Sequence, residues 1–208
     1  MTAKLYCFGE SGNAYKAALT MTLSGFDWEP VYVDFFNGET RRPEFRALNE
    51  MGECPVLDLE GEILAQSGVM QLRIAEQTGR FGGENRDEVL RWLFWDNHKG
   101  SSQFGALRFM MHFLPAEKRP HAAIDWLSGR VQAALQTLET HLSKSDWLVG
   151  GSASIADFAC CAYLYYPEGF GYSAQTHPAI ARWLDRIRAL PGWAHPYDMM
   201  PGSPADRL

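Results

Sequence analysis

The chain has 208 residues, of which 46% are hydrophobic, and its formal net charge is -6 at pH 7. This length accommodates one or two domains with a sizeable core, and the acidic balance argues against nucleic acid or an anionic membrane surface as a partner. No apolar run reaches the length of about 18 residues that a membrane-spanning helix needs, and the first residues lack the apolar core of a signal peptide.

The cysteine pattern excludes two further kinds of site. None of the four cysteines has the spacing of a zinc site or of a C-x-x-C redox motif. We therefore expect no metal, a reducing environment and a cytoplasmic protein. Cys160 and Cys161 are adjacent in an apolar run and are predicted to be small core residues.

The first third of the chain alternates short apolar runs with turn residues. Residues 4–8 are predicted to form a strand, residues 14–23 a helix that Gly25 ends, and residues 28–33 a second strand. If the two strands are parallel, they require a right-handed crossover through this helix. A short helix that a proline opens is predicted at residues 43–48.

A hairpin that begins at a proline is predicted next. Pro55 suits the first residue of a strand because proline cannot donate to a sheet ladder, and Glu60-Gly61 is predicted to form the tight turn. Ser67 is a good N-cap for the helix that follows, and free N–H groups at the start of a helix attract carboxylates. The predicted strands and helix cover residues 56–59, 63–64 and 67–77.

Residues 52–57, with the pattern Gly-x-x-Pro-x-Leu, and Gln66-Ser67 after them resemble the glutathione-binding half of cytosolic glutathione S-transferases. The resemblance implies a cis peptide bond before Pro55, with the peptide group of Cys54 paired to the backbone of glutathione's cysteine. It also implies that Gln66 and Ser67 hold the γ-glutamyl carboxylate. The β-α-β-α-β-β-α order of this half is similar to a thioredoxin-like domain.

The remainder of the chain is predicted to be helical. A polar, glycine-rich stretch at 80–87 is predicted to link a domain at 1–79 to one at 88–208. The tail after Pro196 is predicted to be poorly packed. Periodic apolar residues predict helices at 87–111, 122–142, 154–165 and 178–190.

One local motif in this helical half carries a second part of the resemblance. Ser154-Ile-Ala-Asp157 has the pattern of a capping box, and glutathione S-transferases open the central helix of their C-terminal domain with such a box. The implied role is structural. The resemblance then covers residues 4 to about 193 and implies an α/β plus all-α protein, with an N-terminal thioredoxin-like domain and a C-terminal helical bundle, which is the glutathione S-transferase fold.

The resemblance implies that the Ser11 hydroxyl donates a hydrogen bond to the sulfur of glutathione. Lowering a thiol pKa of about 8.5 by about two units takes roughly 2.7 kcal/mol, and a hydrogen bond to a charged group supplies about 1.5–3 kcal/mol. Asn13 is an alternative donor, as in some bacterial branches of the family. Tyr6 is a further alternative donor, although it is predicted to face the core. Cys7 could instead form a mixed disulfide, although it lies within the first strand.

Glu53 departs from the family pattern, in which many members have Gln or Lys at this position. An acid here disfavours the glycine carboxylate of glutathione through like-charge repulsion. Arg41 or Arg42 could compensate by a charge-assisted contact with glutathione, although each could equally be a solvated surface charge.

In this family the helix predicted at 87–111 lines the pocket for the second substrate and part of the dimer contact. The resemblance implies that Asp96 reaches the γ-glutamyl amine of glutathione bound by a partner subunit. His98 could instead be a helix-packing residue. The implied pocket residues are Trp95, His98 and Arg108, and the residues that either face this pocket or fill the core are Tyr163, Tyr165 and Tyr166.

The sequence thus predicts a bacterial-type glutathione S-transferase with a serine or asparagine site. We expect a homodimer that detoxifies small hydrophobic electrophiles with glutathione as co-substrate. One alternative is a glutathione-dependent disulfide or peroxide reductase, although Gly12 occupies the loop position where a few branches have a reactive cysteine. Another alternative, to which Glu53 contributes, is a non-catalytic interaction module of the same fold.

Overall fold

The computed structural model of the chain describes residues 2–202. The chain divides within the predicted linker, so that one unit ends at Gly82 and the second spans Gly83–Ala189. The segment from Leu190 onward belongs to the first unit, which corrects the predicted domain at 88–208. Among the described residues, no helix is both long and apolar enough to cross a membrane.

The C-terminal segment is held in the first unit by hydrogen bonds to its backbone carbonyls and by burial of a side chain. Tyr15 Oη donates to the Ala194 carbonyl at 2.8 Å, and Gly9 N–H donates to the Pro201 carbonyl at 2.6 Å. Met200 is only 3% exposed. The prediction of a poorly packed tail is therefore wrong for residues 197–202, which follow the start of the short helix Pro196–Met199. Residues 203–208 lie outside the described part of the chain.

A mixed four-stranded sheet organises the first unit, in the order β2-β1-β3-β4. β1 pairs in parallel with β2 and antiparallel with β3, and β3 pairs antiparallel with β4. A parallel pair needs a crossover connection, and the predicted first helix provides it. The strands are β1 (Ala3–Cys7), β2 (Trp28–Tyr32), β3 (Val56–Leu59) and β4 (Glu62–Ala65).

Helices cover the sheet of this unit. These helices are α1 (Gly12–Ser24), α2 (Pro43–Leu48) and α3 (Ser67–Thr78). α1 and α3 pack against each other, and Gln71 Nε2 donates to Thr20 Oγ1 at 3.1 Å between them. Tyr6, predicted to face the core, packs against the buried cluster of Val33, Phe45 and Val56.

The second unit begins with a helical run that the sequence predicted as one helix at 87–111. α4 (Arg86–Asp96) leads into a π-helical segment, Asn97–Phe104, and then into α5 (Gly105–His112). Asn85 caps α4, because its Oδ1 accepts from the N–H groups of Asp87 and Glu88 at 3.1 and 3.2 Å. Apolar spacing did not predict the π-helical segment, because one widened turn changes the pattern by a single residue.

The other helices of this unit are α6 (His121–Leu142), α7 (Ile155–Cys161) and α8 (Pro178–Arg188). The bounds of α6 agree closely with the predicted 122–142. α7 is shorter than the predicted 154–165, since the chain tightens into a 3₁₀ turn over Ala162–Tyr165. Cys160 and Cys161 are buried, as predicted for core residues.

The predicted capping box is present at the start of α7. The Ser154 N–H and hydroxyl both donate to Asp157 Oδ2 at 2.9 Å. Asp157 Oδ1 also accepts from Leu148 N–H and from Trp183 Nε1, each at 2.9 Å. Burial raises the pKa of the Asp157 carboxyl despite these donors. The carboxylate therefore joins the segment before α7 and the helix α8 to the cap.

Candidate active site

Ser11 lies at the N-cap of α1, in the loop after β1. Its Oγ accepts from Ala14 N–H at 3.1 Å, and its own N–H donates to the Phe8 carbonyl at 3.0 Å. Serine has one hydroxyl donor and two acceptor lone pairs. The capping bond uses one lone pair of the Ser11 oxygen, so the hydroxyl can still donate its hydrogen to a thiolate.

Asn13 is the second residue of the same helix and lies in its first turn. Its side-chain Oδ1 accepts from Lys16 Nζ at 3.0 Å, and Lys16 is only 1% exposed. This contact uses the carbonyl oxygen of the carboxamide, whose NH₂ group is the part that could donate to a sulfur. The role of Asn13 as an alternative donor to the sulfur stays a prediction.

The peptide bond between Cys54 and Pro55 is cis, as the resemblance implied. Cys54 Sγ donates to the Tyr6 carbonyl at 3.2 Å. Burial raises the pKa of the Cys54 thiol well above its ordinary value, and it raises the pKa of the fully buried Cys7 thiol to about 12. Both thiols stay protonated near neutral pH, which argues against Cys7 as a nucleophile.

Gln66 has an unusual backbone conformation, with φ 69° and ψ 116°. Such angles are rare for a residue with a side chain and are often found at functional sites. Gln66 occupies the cap position of α3, and no side chain caps this helix. The prediction of Ser67 as N-cap is therefore wrong, because Ser67 is the first helical residue. The first N–H groups of a helix have no partner within it, so those of Ser67 and Gly68 can meet an anion.

The side chains of Glu53 and Gln66 pair across this site. Gln66 Nε2 donates to Glu53 Oε2 at 3.0 Å and also contacts Met51 Sδ at 3.4 Å. Arg41 and Arg42 are both exposed in the segment that follows β2. The backbone turn at Gln66 thus brings the acid of the 52–57 motif to the residue predicted to hold the γ-glutamyl group.

Two of the predicted ligand residues in the second unit are interior groups. Asp96 is 3% exposed and accepts from Ser101 Oγ at 3.4 Å. Arg108 is 2% exposed and pairs with Glu168 at 2.6 Å, with its guanidinium 3.8 Å from the Tyr166 ring centre. These contacts lie in the interior of the helical unit, and the roles of Asp96 in a partner's site and of Arg108 in a pocket stay predictions.

The other predicted pocket residues of this unit differ in exposure. Trp95 is half-buried, with its ring 5.3 Å from that of Trp92 in an edge-to-face arrangement. His98 is exposed, and its backbone carbonyl accepts from the Ser102 hydroxyl. The three tyrosines left open by the sequence fill the core, since each is less than a tenth exposed: Tyr163, Tyr165 and Tyr166.

An aromatic cluster that begins at Phe8, whose carbonyl accepts from the Ser11 N–H, was not predicted from the sequence. The Phe8 and Phe35 rings stack at 4.7 Å, and Phe36 lies edge-on to both at 6.0 and 5.5 Å. Phe35 and Phe36 are 36% and 37% exposed. The sequence feature that could have indicated this cluster is the pair of consecutive phenylalanines in an irregular loop. Within the described residues, no group of three or more His, Cys, Asp or Glu side chains could hold a metal ion.

Comparison with known proteins gives a consistent assignment. Residues 1–76 match the model of the glutathione S-transferase N-terminal domain, and residues 104–191 match that of the C-terminal domain. The disulfide-bond oxidoreductase YfcG of Escherichia coli is 30% identical over 194 residues, which cover 88% of this chain and 89% of YfcG.

Solved structures agree in fold. A glutathione S-transferase from Xanthobacter autotrophicus is 32% identical, with a TM-score of 0.86 and 99% of each chain covered. A glutathione transferase from Burkholderia graminis, solved with two glutathione molecules per subunit, is 25% identical, with a TM-score of 0.80 over 92% of this chain and 85% of that one. The two domain matches, this identity and the fold together establish that the chain belongs to the glutathione S-transferase family.

Proposed function

We propose that this protein is a glutathione transferase that conjugates the thiolate of glutathione to a small hydrophobic electrophile. Glutathione would lie along the Cys54 backbone, with its γ-glutamyl carboxylate at Gln66 and the first N–H groups of α3. Ser11 would donate its hydroxyl hydrogen to the sulfur. The observation that carries the proposal is the geometry of Ser11, whose oxygen caps α1 while its hydrogen remains available.

The energetics of this arrangement are sufficient for thiol activation. A hydrogen bond to a charged group contributes about 1.5–3 kcal/mol, and the N-terminal end of α1 adds roughly 0.3–1 kcal/mol for a nearby anion. Together they can lower a thiol pKa by about two units. The thiolate then attacks the electrophile directly, and the protein forms no covalent intermediate.

The proposed electrophile is apolar because of the aromatic cluster of Phe8, Phe35 and Phe36. These rings follow β1 and β2, and the Phe8 carbonyl accepts from the Ser11 N–H. Exposed aromatic rings favour offset or edge-on contact with another aromatic group. The proposal also includes a cytoplasmic homodimer, which four free cysteines and exposed apolar side chains such as Met51 and Val69 support.

Substitution of Ser11 tests the assignment. Ser11→Gly removes the hydroxyl but keeps a residue acceptable at an N-cap, so we expect turnover of a chloronitrobenzene substrate to fall about tenfold or more. Affinity for glutathione should change little. The thiolate absorbance of bound glutathione, titrated against pH, should move to a higher pKa.

Ser11→Thr is the matched control, because threonine both caps the helix and donates. It should keep the low thiol pKa. If Ser11→Gly keeps full turnover and an unchanged thiol pKa, Ser11 is not the donor. Loss of turnover in Asn13→Ala would then assign the role to Asn13.

A glutathione-dependent disulfide reductase is the second candidate, because the relative YfcG bears the name of a disulfide-bond oxidoreductase. In this case Ser11 or Asn13 would stabilise the glutathione thiolate that attacks the substrate disulfide, which releases one substrate thiol and leaves a mixed disulfide. A second glutathione thiolate would then attack the glutathione sulfur of that mixed disulfide, which releases the second substrate thiol and forms glutathione disulfide. Rapid reduction of hydroxyethyl disulfide, with little conjugation of chloronitrobenzenes, would favour it. Failure to bind immobilised glutathione would instead favour a non-catalytic interaction module.

A further inference from the structure

Glu53 lies at the end of the site where the γ-glutamyl group of glutathione would bind. This inference rests on the proposed function, in which Gln66 and the first N–H groups of α3 hold the γ-glutamyl carboxylate. The carbon that bears this carboxylate also bears an ammonium group, the one positive charge of glutathione. The ammonium must therefore lie within a few ångströms of Gln66.

The structure provides a carboxylate at that place. Glu53 Oε2 accepts from Gln66 Nε2 at 3.0 Å, and the Glu53 side chain is exposed, so its other oxygen can accept from a ligand. Gln66 is neutral, and the first turn of α3 contains no acidic residue.

We propose that Glu53 is the specificity-determining residue that binds the γ-glutamyl ammonium. Gln66 positions the Glu53 carboxylate, and the ammonium donates to it. A carboxylate and an ammonium form a short, charge-assisted hydrogen bond. The site therefore selects γ-glutamyl thiols with a free α-amine, such as glutathione and γ-glutamylcysteine, and it disfavours the same thiols when that amine is acylated.

This assignment reverses the effect of Glu53 that was expected from the sequence. An acid near the glycine carboxylate would weaken glutathione binding by repulsion, and its removal would then improve affinity. An acid at the ammonium strengthens binding, and its removal reduces affinity. The sign of the change on substitution therefore separates the two arrangements.

Calorimetric titration of the full chain with glutathione and with N-acetylglutathione tests the proposal. Glu53→Gln keeps the size of the side chain and removes its charge. We expect the Kd for glutathione to rise about tenfold, while the already weak binding of N-acetylglutathione changes less than about twofold. Glu50→Gln, which removes a nearby exposed acid, is the matched control and should leave both affinities unchanged.

Several outcomes would overturn the proposal. Equal loss of affinity for the two ligands would mean that Glu53 acts by positioning Gln66 alone, and a gain in glutathione affinity would assign it to the glycine end. Wild-type protein that binds glutathione and its acetylated form equally well would exclude selection for the free amine but leave the proposed transferase intact. Wild-type protein that binds neither would overturn the proposed function as well.

Discussion

Single residues at the site combine a structural contact with a chemical one. The Ser11 oxygen caps the first turn of α1. The same hydrogen bond stabilises the loop in which Ser11 lies. Gln66 adopts an unfavourable backbone conformation, and its side chain donates to Glu53. Strained backbone conformations persist where the surrounding structure determines them, and they are frequent at binding sites. At this scale, stability and ligand binding therefore compete at Gln66.

Gln66→Gly separates these two effects. Glycine adopts positive φ without steric cost, and relief of about 1–3 kcal/mol of strain exceeds its added chain entropy of about 0.4–1 kcal/mol. We expect the free energy of unfolding to rise by about 1 kcal/mol while glutathione affinity falls. Urea unfolding and calorimetric titration measure the two quantities.

Glu60→Gly is the control for this prediction. Glu60 also has a positive φ, of 56°, but it lies in the turn between β3 and β4. The Glu60→Gly variant should have a higher free energy of unfolding and an unchanged affinity for glutathione. Unchanged affinity in Gln66→Gly would remove Gln66 from the binding site.

At the scale of elements, one buried carboxylate holds three parts of the helical unit together. Asp157 accepts from the cap of α7, from the Leu148 backbone and from the Trp183 side chain on α8. A capping box by itself contributes about 1 kcal/mol. The additional donors on Leu148 and Trp183 make Asp157 a connection between elements. The capping-box pattern in the sequence does not indicate this connection.

Asp157→Ala should therefore destabilise the protein by more than the loss of a cap. A buried donor that loses its partner costs about 1–3 kcal/mol, and three N–H donors lose theirs, so we expect a decrease of about 3–5 kcal/mol in the free energy of unfolding by urea denaturation. Asp146→Ala is the control, since Asp146 forms an exposed ion pair with Arg186, worth about 0–1 kcal/mol. Equal effects in the two variants would contradict the connecting role.

At the scale of the whole molecule, the chain returns to its first unit after the second is complete. The segment from Leu190 to Gly202 packs beside α1 and the loop that contains Ser11, through Tyr15 and Gly9. A residue far along the chain thus supports the backbone of the proposed catalytic loop. The C-terminal segment is part of the structure that positions the site.

Truncation after His195 should show this dependence. It removes the buried Met200, worth about 1.5–3 kcal/mol, and the bond from Gly9 to Pro201, worth about 1 kcal/mol. We expect a lower thermal midpoint and reduced chloronitrobenzene turnover. Truncation after Gly202, which keeps both contacts, should change neither, and normal turnover in the shorter variant would contradict the supporting role.

The amino-acid sequence by itself determined the order of the elements, the place of Ser11 between β1 and α1, and the box at Ser154 and Asp157. These features are local, because strand and helix periodicity, turn residues and caps act over a few neighbouring positions. The resemblance to a family added the cis bond before Pro55, which residue patterns alone do not indicate.

Only the tertiary structure decided which polar residues are buried and which distant segments meet. Asp96 and Arg108 are of residue types that often bind ligands, yet both side chains lie in the interior. Glu53 meets Gln66, and Pro201 meets Gly9. Such contacts join residues that are far apart in the chain, and burial depends on the packing of all neighbouring elements at once, so no local pattern specifies them.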